Sequence, residues 1–267
     1  MPTDPIPIPV VFVATIIVVA AAVEIGYLLG KAVRRRSADE KESPVSVISG
    51  SILGLAAFML AFTFGIVSAR HDAKKGLVRE DANAIRVAWQ RSDFLPEADR
   101  VQAKGLLARY LDTRLRFTEA RKLDSDHVRA ALAETRQLHD RLWSMAVANA
   151  RRDMDSDVAA LYIEALNEMA AVNAMRVAIG IQARIAKEIW IALFFLIGLG
   201  MLVVGYQTAI AESKRSMIQP VLVISFAMVI TLIATLDRPD SGVLKVTQQP
   251  LVDLRNTMSE ATQPTTR

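Results

Sequence analysis

The side chains able to do chemistry are few and scattered. His71, His127 and His139 are the only histidines, and cysteine is absent. A helical metal site needs ligands such as His at i and i+4, and a loop site needs paired cysteines at short spacing. No two of these histidines are so placed, and they read as solvated or capping residues. Asp153, Asp155 and Asp157 alternate as calcium ligands do. The glycine and the distal bidentate Glu of an EF-hand are missing, so helix capping is the expected role. A glycine-rich phosphate loop, a nucleophile elbow and a catalytic dyad are all absent. Without thiols, disulfides and thiol catalysis are excluded. The expectation is a protein with no cofactor, no metal and no enzymatic reaction. Two features could still act on ions. Glu24 is a carboxylate inside an apolar run, where an acid marks an ion path or sits at headgroup level. Its position toward the Arg34 end favours the headgroup reading. Phe58, Phe62 and Ile66 recur every four residues on one helical stripe. Such a stripe either faces lipid and neighbouring helices or, turned inward in an oligomer, forms a constriction that gates by dewetting.

The elements that carry these residues are set by four apolar runs: Ile8–Leu29, Val45–Val67, Ile189–Ile210 and Met217–Leu236. About 20 apolar residues at about 1.5 Å rise cross a bilayer. Lipid offers the backbone no partner, so each run must be helical. The expected fold is all-α: an integral membrane protein with four transmembrane helices and a helical-bundle insert between the second and third. Residues 1–68 form the first helix pair with a short basic loop, 69–188 the extramembrane bundle, 189–236 the second pair and 237–267 a polar tail. The first run is read as a retained helix, because no basic segment precedes it. Gly50 and Gly54 form a small-xxx-small pattern in the second span, and Gly198, Gly200 and Gly205 dot the third; both predict close helix packing.

In the insert, helical spacing continues from the second span to about Asp93, where Leu95-Pro96 stops it. A helix over about Glu97–Lys122 carries Leu106, Leu107, Tyr110, Leu111 and Leu115 on one side. Asp124-Ser125-Asp126 caps another, about His127–Arg151, with Val128, Ala131, Thr135, Leu138, Leu142 and Met145 as its seam. A last helix from about Asp157 is expected to run unbroken through Arg184 into the third span. The insert therefore reads as about four antiparallel helices.

The formal net charge of +4 is too weak to argue for nucleic acid. Arg34-Arg35-Arg36 beside a span instead suits anionic lipid headgroups. The short links are rich in Lys and Arg, which places them in the cytoplasm and the insert outside. Arg70, Lys74, Lys75, Arg79, Arg184 and Lys187 flank the insert just as closely, so charge alone leaves orientation open.

Leu60-Ala61-Phe62-Thr63-Phe64-Gly65, Arg70-His71-Asp72-Ala73-Lys74-Lys75 and Glu80-Asp81-Ala82-Asn83-Ala84-Ile85 resemble the bacterial bestrophin-like membrane family, as does the closing Leu236-Asp237-Arg238-Pro239 with Gly242, Val246 and Pro250. Phe64, Gly65, Asp72, Glu80, Asn83, Asp237 and Pro239 stand out as its signature. The more distant similarity to bestrophins implies a homo-oligomeric ion channel of the inner membrane, pentameric by analogy. The second span would line the pore, Phe58, Phe62 and Ile66 would form its neck, and the insert would be cytosolic. Membrane lipids and ions are then the implied partners. The tryptophan-rich run that follows the neck in bestrophins is absent here, as is their calcium-clasping acidic cluster, so calcium gating is not implied. The alternative is a non-conducting sensor or scaffold whose insert binds a partner.

Overall fold

The computed structural model describes residues 6–35, 42–119, 125–211, 218–238 and 246–262. All described regular structure is helical: α1 (Ile8–Arg34), α2 (Glu42–Arg91), α3 (Glu97–Glu119), α4 (Ser125–Ala150), α5 (Asp157–Val177), α6 (Lys187–Ile210), α7 (Ile218–Asp237) and α8 (Gln249–Thr262). Four of these, α1, α2, α6 and α7, are long and apolar enough to cross a membrane. The chain divides into a membrane unit, Asp4–Ala69 with Arg184–Leu244, and a polar unit, Arg70–Ala183 with Lys245–Arg267.

In the membrane unit, α1 packs on α6 and α7. Glycines set the closeness of the first pair. A Cβ on Gly26 would fall 1.8 Å from the Leu202 carbonyl oxygen, and one on Gly205 would fall 2.0 Å from that of Val23. Gly30 meets Tyr206 in the same way, so α1 and α6 run parallel, as the first and third crossings of a chain must. Small residues are what allow backbones to approach so closely in lipid. The Gly26-xxx-Gly30 pattern was not singled out from the sequence, although it makes the tightest contact. Of the three glycines expected to pack in the third span, Gly200 meets Leu53 of α2 and Gly205 meets α1, whereas Gly198 meets nothing within 4 Å. Gly50 and Gly54 also have open space around them. The hydroxyls of Thr15, Ser51, Thr63, Thr208, Ser225 and Thr235 each donate to the carbonyl four residues back, at 2.7–2.9 Å. That satisfies them without water, as lipid requires. Ile17, Ile191, Phe195 and Met228 point outward, an apolar surface that suits acyl chains.

In the polar unit, the second half of α2 packs with α3, α4, α5 and α8 around one core. Leu106, Leu107, Tyr110, Leu111 and Leu115 of α3 are all buried, as are Leu138 and Leu142 of α4. A single 3-10 turn, Ser92–Phe94, ends α2 before Pro96. Ser156, rather than one of the aspartates, caps α5, its Oγ accepting from the Ala159 amide at 3.2 Å, and Asp157 stands in the first turn of that helix.

Two features differ from expectation. The last insert helix does not run into the third span. A π turn at Ala178–Gln182 ends α5, and the backbone is extended at Ala183 and Ala186 before α6 begins. Only one membrane helix, α2, therefore continues into the bundle. The stretch assigned to the tail also contains α8, whose Leu251, Leu254 and Met258 are buried in the bundle core. Arg255 ties it to Asp112 of α3 at 2.7 Å. Arg36, Asp124, the 212–217 link and Pro239 lie outside the described residues.

Candidate functional site

Helix α2 is two-faced over its apolar half. Ala56, Leu60, Thr63 and Val67 are buried in the membrane unit, while Gly54, Phe58, Ala61, Phe62 and Gly65 are exposed. The helical repeat makes the second set one stripe. Phe58 is 65 % exposed and Phe62 is 59 % exposed. Their rings stack with centroids 6.4 Å apart and planes 18° apart. Ile66 sits partly turned toward the packed side and is only half-exposed. The stripe thus pairs two bulky rings with small residues, on the side of α2 away from the buried Ala56, Leu60, Thr63 and Val67.

The signature residues fall into two groups. Phe64 and Gly65 belong to the exposed part of α2, and Gly65 meets nothing within 4 Å. Asp72, Glu80 and Asn83 lie exposed further along the same helix. Asp72 pairs with Lys75 at 3.2 Å, and Asn83 accepts from Arg86; both contacts are local to α2. Asp237 is different. Its carboxylate Oδ1 accepts from the Ile185 amide at 2.9 Å, and its carbonyl accepts from Arg184 Nη1 at 2.9 Å. The end of α7 is thereby latched to the approach to α6. Glu24 lies on an exposed face of α1. The three histidines are not brought together: His139 Nε2 lies 3.1 Å from the Leu166 carbonyl, and no metal-binding cluster occurs among the described residues.

The strongest polar constellation was missed. Asp81 is wholly buried, and its Oδ2 accepts from Arg114 Nε at 3.2 Å and Nη2 at 3.1 Å. Arg176 also donates to that oxygen, while Oδ1 accepts nothing. Arg114 Nη1 continues to Asn173 Oδ1 at 2.6 Å, and Arg176 Nη2 to Gln248 Oε1 at 3.1 Å. One carboxylate from α2 thus faces two guanidinium groups from α3 and α5. Burial pushes the Arg176 pKa down and the neighbouring Arg114 charge adds to this, with Asp81 opposing both. A charge-bearing triad inside a bundle is costly unless its members are paired, and these pairs link α2, α3 and α5. Asp81 stands within the quoted sequence, but nothing in the spacing shows that residues 33 and 95 positions away will meet it.

Four apolar helices and a separately cored polar bundle define an all-helical membrane protein. A family model described as Bestrophin-like domain matches residues 16–251, and the chain belongs to that family. Neither a curated protein nor a solved structure matches the chain.

Proposed function

We propose that this bestrophin-like membrane protein is a homo-oligomeric ion channel or pore of the bacterial inner membrane, lined by α2. The observation that supports this is the exposed Phe58–Phe62 pair beside Gly54, Ala61 and Gly65. Around a central axis, small residues let copies of α2 approach, and the rings close a dry neck that ions pass only when it widens. Phe58 and Phe62 carry this constriction. Ile66 contributes less, because it is partly turned into the protomer. On this reading the protein catalyses no reaction. Its partners are lipids, ions and further copies of itself, five in all by analogy with bestrophins, and the insert is cytosolic. Images of the detergent-purified particle viewed down its axis test it: a closed ring of subunits supports the pore, and a monomer or dimer without a central axis overturns it. A reporter inserted at Ser125 reads the side of the insert.

A second reading is a non-conducting sensor or scaffold. It is favoured by the cavity inside the polar unit, which a simple conduit does not need.

A further inference from the structure

A cavity of about 440 Å³ opens in the polar unit between α3, α4 and α5. Its size falls within the range of small-molecule sites, about 300–1,000 Å³. Leu132, Ala170, Ala174 and Val177 give it an apolar wall, and the exposed Arg136 stands at its rim. Two deeper groups are donors. Asn173 Oδ1 accepts from Arg114 Nη1 at 2.6 Å. A guanidinium can only donate, so this contact fixes the amide orientation and leaves the Asn173 N–H₂ for the cavity. Tyr110 also lines it, and burial pushes the Tyr110 pKa up, so the phenol keeps its proton. None of the described lining residues is acidic. Behind Asn173, Arg114 and Arg176 are both tied to the carboxylate of Asp81. The site therefore combines donors, the Arg136 cation at its rim and an apolar wall.

We propose that this cavity binds a small monocarboxylate with an apolar body, its carboxylate toward Asn173, Tyr110 and Arg136 and its hydrocarbon along α5. The inference does not depend on whether the chain conducts. The test is a titration of the purified full-length chain with hexanoate, read by ligand-observed NMR, with hexylammonium as the matched cation. Saturable hexanoate binding is expected, at least about tenfold tighter than that of hexylammonium. Ala174→Trp, which fills the cavity, abolishes it. Arg136→Glu, on the exposed rim and so harmless to folding, weakens it by about fivefold or more. The proposal is overturned by absence of saturation, by equal affinity for hexylammonium, or by unchanged affinity in either variant that folds.

Discussion

Asp81 of α2 and Arg114 of α3 meet inside the polar unit, with the carboxylate wholly buried and the guanidinium 7 % exposed. The pair joins two helices, and Arg176 brings in a third. Replacing Asp81 by Ala leaves two buried cations without their anion. Breaking such a group costs about 3–5 kcal/mol. Asp81→Ala is therefore expected to melt the bundle or lower its denaturant midpoint steeply, whereas Asp81→Leu combined with Arg114→Leu and Arg176→Met recovers much of the loss. Chemical unfolding of the detergent-solubilised protein, followed by circular dichroism, checks this.

The same substitution has opposite consequences at two glycines. Alanine is favoured over glycine in a helix by about 1 kcal/mol, and Gly54→Ala meets nothing within 4 Å in the protomer. It is expected to be neutral or mildly stabilising to the protomer. Gly205→Ala places a Cβ 2.0 Å from the Val23 carbonyl oxygen, so α1 and α6 must separate. Thermal scans of the purified variants should show a lowered midpoint for Gly205→Ala.

Asp237 accepts from the Ile185 amide, a backbone group left outside any helix. A hydrogen bond to a charged acceptor is worth about 1.5–3 kcal/mol. Asp237→Ala is expected to lose most of this and Asp237→Asn, which keeps an oxygen, much less. Limited proteolysis around residues 178–186 reads the difference directly.

Alkaline pH should loosen the polar unit. Burial raises the pKa of both Tyr110 and Tyr162 above their ordinary 10.0. A group whose folded pKa is raised binds its proton more tightly when folded, so its contribution is complete below the unfolded pKa and is lost as pH climbs beyond it. Stability is therefore expected to fall above about pH 10, and less steeply in Tyr162→Phe. Denaturant midpoints measured between pH 8 and pH 11, for wild type and variant, test the sign.

The four membrane helices were legible because lipid imposes one length and one polarity on every crossing. The bundle faces of α3 and α4 were legible because Leu107, Leu111, Leu138 and Leu142 keep helical spacing. The break after α5 was not. Residues 177–188 contain no proline, and Gly180 is the only weak point, so propensity favours continuation where the backbone turns aside. Helix α8 was hidden by polar composition, although Leu251, Leu254 and Met258 fall on one face. The aromatic stripe of α2 could be read as a stripe, but its exposure could not, because that depends on which face the other helices cover. The Asp81 triad is a pairing in space, and no local pattern announces it.

Flux through reconstituted liposomes tests the pore most directly. Wild-type protein is predicted to pass ions above the level of empty vesicles, and Phe58→Ala with Phe62→Ala, which widens the neck, is predicted to pass more. Vesicles carrying either protein that leak no faster than empty ones would contradict the account.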